Sequence, residues 1–230
     1  MIAENIARIR ARMEAAAIAC GRDPQKILLC AATKMNDASR VREAILAGVD
    51  CCGENRVQEL VEKSKENAYA GAPVHFIGRL QTNKVRQVVG KVDLIQSVDR
   101  RKLLECIEKE AAQQGIVQDI LLEVNVGGEL SKSGFTPQET LELATELDAF
   151  PHCRVRGLMT IPPVSGKKGD NCRFFEQISA IAVDITTKKS HNISMDILSM
   201  GMTDDFEDAI ACGSTMIRVG TAIFGARYYK

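Results

Sequence analysis

The sequence predicts an α/β fold: a single (β/α)8 TIM barrel preceded by one extra N-terminal helix. Three observations predict it. Strand-like and helix-like patterns alternate along the chain, with no run of consecutive strands. Eight such units fit into 230 residues, whereas doubly wound sheets usually carry about five or six strands. No segment repeats at a fixed period, which removes solenoids and propellers. Residues 1–230 are therefore read as one domain.

The first helix follows from Ile2, Ile6, Ile9, Met13, Ala16 and Ala17 at helical spacing; Gly21 closes it and Asp23-Pro24 turns the chain. Residues 27–32 read as a buried strand and 38–46 as a helix ended by Gly48. A short strand at 49–52, a helix at 57–65 and a strand at 74–77 come next. Residues 84–89 read as a helix stopped by Gly90, 92–97 as a strand and 100–114 as a helix ended by Gly115. Then come a strand at 120–126, a helix at 137–147 with proline in its first turn, and a strand at 155–160. The pattern closes with a helix at 172–188, a strand at 193–198, a helix at 204–211, a strand at 216–219 and a short helix or tail.

Lysine plus arginine (30) equals aspartate plus glutamate (30), so no global positive field exists to hold nucleic acid or an anionic membrane. Apolar stretches are short and broken by charge, and Met1 leads into an amphipathic helix rather than a secretion signal. A cytoplasmic protein is expected. The eight cysteines mostly lie in apolar runs and show no C-x-x-C or zinc-type spacing. Cys51 and Cys52 point to opposite faces of a strand and are read as buried small hydrophobes without a role.

In a barrel, chemistry gathers where strands end and loops lead into helices. The first strand ends in Ala31-Ala32-Thr33-Lys34, a lysine at the mouth on an apolar stem. Desolvation there would release its amine for imine formation with a carbonyl. The second strand ends in Gly53-Glu54-Asn55-Arg56 and the third contains His75, a lone histidine that packing alone would also explain. His152 and His191 precede strands and fall at the wrong end. The last two strands run into Ser199-Met200-Gly201-Met202-Thr203 and Arg218-Val219-Gly220-Thr221, where barrels often hold a phosphate. Asp204 and Asp205 would repel an anion, so either they point away or the anion sits nearer Gly220-Thr221. The stretch 127–134 lacks the spacing of a Walker loop, which excludes a nucleotide triphosphatase.

Taken in order and spacing, the motifs form a set: Ala32-Thr33-Lys34, Gly53-Glu54-Asn55-Arg56, His75-Phe76-Ile77-Gly78, Glu123-Val124-Asn125, Arg156-Gly157-Leu158-Met159, Ser199-Met200-Gly201-Met202 and the run 213–225. This set resembles the pyridoxal phosphate homeostasis proteins, relatives of the N-terminal barrel of alanine racemase. The resemblance implies pyridoxal 5'-phosphate held as a Schiff base on Lys34 and a phosphate gripped by Ser199, Gly220 and Thr221. It implies that Arg218 faces the pyridine nitrogen, with Asn55, His75 and Met159 near the cofactor. The run Thr33-Lys34-Met35-Asn36-Asp37 departs from many relatives, which carry Ser before the lysine and Thr and Pro soon after it.

Two functions fit such a barrel. One is a non-catalytic protein that stores, buffers or delivers the cofactor, with cofactor-dependent apo-enzymes as possible recipients. The other is an amino-acid racemase, which requires two positioned acid–base groups. In the racemases the second is a tyrosine from an added β-domain. Here the chain stops ten residues after Gly220, and its tyrosines are Tyr69, Tyr228 and Tyr229. The binding protein is the expectation.

Overall fold

A computed structural model describes residues 1–129, 132–165, 167–188 and 191–225. The expected tail and its Tyr228 and Tyr229 lie outside the described residues. Eight parallel strands close into a barrel in chain order: β1 (Leu28–Ala32), β2 (Cys51–Glu54), β3 (Val74–Phe76), β4 (Leu94–Val98), β5 (Gln118–Glu123), β6 (Cys153–Met159), β7 (Ile193–Ser199) and β8 (Met216–Val219). Closure is made by β8 on β1, with Cys30 opposite Arg218. The barrel expectation is borne out.

The helices are α1 (Ile2–Ala19), α2 (Ala38–Leu46), α3 (Val57–Lys65), α4 (Arg101–Gln114), α5 (Pro137–Leu143), α6 (Cys172–Thr186), α7 (Phe206–Ala211) and α8 (Thr221–Phe224). Alternation along each strand sorts the core into an outer and an inner part. Leu29 and Ala31 face outward and pack with Ile6, Ile9 and Met13 of α1, while Cys30 turns inward to Cys51 and Met216. The extra helix thus covers the seam where the barrel closes. Asn5 of α1 also donates to the Ile223 carbonyl at 2.8 Å, tying down the short α8.

Several element bounds shift from the sequence reading, and three differences have a clear physical reason. The segment after β3 is a 3-10 helix, Thr82–Gln87, not an α-helix. Its Thr, Asn and Val residues have weak α propensity, and the run is too short to offset the cost of nucleation. Helix α5 starts with a reciprocal Thr136/Glu139 capping box but ends at Leu143. Just beyond it the Thr145 hydroxyl takes the Glu142 carbonyl, competing with the helical ladder. Strand β2 runs from Cys51 to Glu54, two residues later than the pattern suggested, because Glu54 is buried against partners that only the fold supplies. No helix among the described residues is long and apolar enough to cross a membrane.

Candidate functional site

A cleft of about 220 Å³ opens at the C-terminal ends of the strands, lined by residues that include Lys34, Asn55, Met202, Arg218, Gly220 and Thr221. Its first wall is the end of β1 and β2. Lys34 is half-buried there, just beyond the last residue of β1, and Met35 after it adopts a left-handed φ of 61°. That turn is clamped from behind. Glu59 accepts the Met35 backbone N–H at 2.6 Å, and Lys63 Nζ donates to the Thr33 carbonyl at 2.8 Å.

Lys63 also pairs with Glu54 Oε1 at 2.7 Å, both groups being buried. The same oxygen accepts the Thr33 hydroxyl at 2.5 Å and the Tyr69 hydroxyl at 3.0 Å. Burial and the adjacent Glu54 push the Tyr69 phenol far above its ordinary value, so it stays a donor. Asn55 follows Glu54 and presents a buried Oδ1 without a protein partner. Its backbone is pressed against Gly78, where a Cβ would stand 2.0 Å from the Asn55 carbonyl oxygen. No other residue fits at position 78.

The adjoining wall is the end of β7 and β8. Gly201 has a φ of 94°, and a Cβ there would meet Ala209 at 2.6 Å, so the loop after β7 turns tightly onto α7. Asp205 accepts the Met202 backbone N–H at 2.7 Å and the Asn171 amide at 2.8 Å. Its carboxylate is thereby occupied. Asp204, by contrast, is exposed and lines the cleft, and helix α7 begins only at Phe206. Gly220 caps α8, whose first N–H groups, as in any helix, have no intrahelical acceptors.

Behind this wall a chain of hydrogen bonds crosses the barrel. Arg218 donates from Nη1 to the Ser199 carbonyl at 2.7 Å and to its hydroxyl at 2.6 Å, and from Nη2 to the Thr160 carbonyl at 2.8 Å. The Ser199 hydroxyl donates to Gln96 Oε1 at 2.6 Å, and Gln96 Nε2 stands 2.9 Å from His75 Nδ1. Burial draws the Arg218 pKa below the usual arginine value, opposed by Cys30, Glu123 and Asp205. At the end of β5, burial and then Asp99 push the Glu123 carboxyl up to about 7, opposed by Arg218 and Arg79.

Five of the eight residues singled out from sequence line this cleft: Lys34, Asn55, Arg218, Gly220 and Thr221. The other three are buried in the barrel interior beneath it. His75 is held by Gln96, Met159 packs with Leu94 and Leu121, and Ser199 reaches Arg218 and Gln96 with its hydroxyl. Sequence reasoning gave no role to Gln96, Lys63 or Tyr69. A signal existed for Gln96, a polar residue inside the apolar run of β4; a surface helix was the natural place for Lys63.

The family model described as alanine racemase, N-terminal domain, matches residues 1–228. The pyridoxal phosphate homeostasis protein of Escherichia coli K12 is 42% identical over 232 residues, covering 100% of this chain and 98% of its own. That of Aquifex aeolicus is 40% identical over 226 residues, 98% of each chain. This chain belongs to the pyridoxal phosphate homeostasis protein family. Among solved structures, PipY of Synechococcus elongatus PCC7942 with PLP bound superimposes with a TM-score of 0.85 at 32% identity, covering 98% of this chain and 100% of PipY.

Proposed function

We propose that this protein binds pyridoxal 5'-phosphate as a Schiff base on Lys34 and acts in its storage, buffering or delivery, without a substrate of its own. The observation that carries the reading is the donor set of the cleft. An amine, a buried guanidinium and the Gly220-Thr221 turn line one opening. These groups fit an anionic aldehyde with a heteroaromatic ring. The names of the relatives and the PLP-bound PipY support the same reading.

When bound, the cofactor supplies an aldehyde that links reversibly to amines and a ring that withdraws electrons. The protein does the rest. Lys34 provides the amine, held in place by the brace behind Thr33 and Met35. Gly220 and Thr221 offer backbone and hydroxyl donors for the phosphate, in a cleft that Asp204 also lines. Ser199 contributes through Arg218, whose guanidinium it fixes with two hydrogen bonds. An arginine keeps its proton, so Arg218 at the ring nitrogen would leave that nitrogen unprotonated and the electron sink weak. That favours holding the cofactor over carbanion chemistry.

Two measurements test this reading. Borohydride reduction and peptide mapping should place one pyridoxyl group on Lys34; a label on Lys84 or Lys132 would refute the attachment. Incubation with L- and D-amino acids in deuterated water should show only trace exchange of the α-proton. Turnover at roughly 1–10³ s⁻¹, the range of ordinary enzymes, would establish the amino-acid racemase instead. Transfer of cofactor to a cofactor-dependent apo-enzyme would support delivery.

A further inference from the structure

The sulfurs of Cys30 and Cys51 and a ring nitrogen of His75 all lie within 4.8 Å of one another in the barrel interior. They come from three successive strands. Cys30 and Cys51 are register partners on β1 and β2, and His75 on β3 pairs with Gly53, two residues beyond Cys51. All three side chains are buried, and none of them lines the cleft. We propose that Cys30, Cys51 and His75 form a binding site for a thiophilic divalent cation of the Zn²⁺ class, independent of the cofactor reading.

The donor chemistry selects that class. Two thiolates and an imidazole suit zinc and exclude the hard cations Mg²⁺ and Ca²⁺, which take oxygen ligands. Zn–S bonds near 2.3 Å and Zn–N bonds near 2.0 Å put the ligand atoms of a tetrahedral site roughly 3.5–3.8 Å apart. Side-chain shifts of about 1 Å therefore close the trio onto an ion. Binding releases the remaining thiol protons to solvent, and two thiolates neutralise the divalent charge. Gln96 Nε2 stands 2.9 Å from His75 Nδ1 and orients the ring; ligation through His75 Nε2 puts the proton on Nδ1 and requires the Gln96 amide to turn its oxygen toward it. Three protein ligands leave the fourth tetrahedral position to a solvent molecule.

The test uses the full chain after chelator treatment, titrated with Co²⁺ and then Zn²⁺. Expected are one Co²⁺ per chain with the intense visible bands of a tetrahedral, sulfur-ligated ion, and its displacement by Zn²⁺. Zinc X-ray absorption should show two sulfurs and one nitrogen from the protein. Cys30→Ser and Cys51→Ser should each weaken Zn²⁺ binding by about tenfold or more. Cys172→Ser should leave it unchanged, although Cys172 forms the other close thiol pair, with Cys212. No tetrahedral bands in the unsubstituted chain, a shell of oxygen and nitrogen alone, or a loss that follows Cys172→Ser would overturn the proposal. The absorption measurement needs no variant, so it decides the matter even if a serine substitution prevents folding.

Discussion

The two walls of the cleft are held in place by different kinds of force. The wall that carries Lys34 is braced from outside the barrel by a buried ion pair, Lys63 with Glu54, to which Thr33 and Tyr69 add hydrogen bonds. The wall at the ends of β7 and β8 is shaped by backbone, through the tight turn at Gly201, and backed from inside by Arg218, Ser199 and Gln96. The difference is instructive. On the proposed reading, the residue that would bond the cofactor is positioned through its backbone. A group whose task is to present charge, such as Arg218, is pinned directly through its guanidinium.

The largest effect breaks the first wall. Lys34→Ala should abolish the borohydride-fixed pyridoxyl group entirely, read by intact mass, whereas Thr221→Val should leave a label that forms at higher cofactor concentration. Next, Lys63→Met would strand Glu54 as a buried charge, which costs about 3–5 kcal/mol when one partner of such a pair is removed. Urea unfolding should show that loss, and a Lys63→Met, Glu54→Gln double variant should recover much of it.

A pH experiment probes the groups facing the second wall. The Glu123 carboxyl titrates near 7 in the folded protein against an ordinary value of 4.5. The native state therefore holds a proton that the unfolded chain has released. This contribution is fully present below pH 4.5 and is lost as the pH climbs to about 7, lowering stability by up to about 3 kcal/mol. Glu123→Gln should flatten the slope of stability in that window; an unchanged slope would assign it to another group.

The smallest effects separate the roles on the second wall. Thr221→Val should weaken binding of the phosphorylated cofactor by one charge-assisted hydrogen bond, about 1.5–3 kcal/mol, with little change for pyridoxal. Ser199→Ala should lower stability by about 1–3 kcal/mol, because Arg218 and Gln96 each lose a buried partner. If Ser199→Ala instead discriminated between pyridoxal and its phosphate while leaving stability intact, Ser199 would contact the phosphate itself.

The sequence by itself determined the alternation of strands and helices, hence the barrel, because hydrophobic period and turn residues are local properties. It also determined which residues stand near the strand ends, and the resemblance of those motifs to a known family singled out Lys34, Asn55, Arg218, Gly220 and Thr221, which share one cleft. Only the tertiary structure decided the partners of those residues. Gln96 meets Ser199 across 103 positions of chain, and Lys63 reaches the Thr33 carbonyl from 30 positions away. Cys30, Cys51 and His75 likewise converge from three strands. Such contacts depend on inter-strand register and on closure of β8 against β1, which are set by packing around the whole barrel and leave no periodic trace in any one segment.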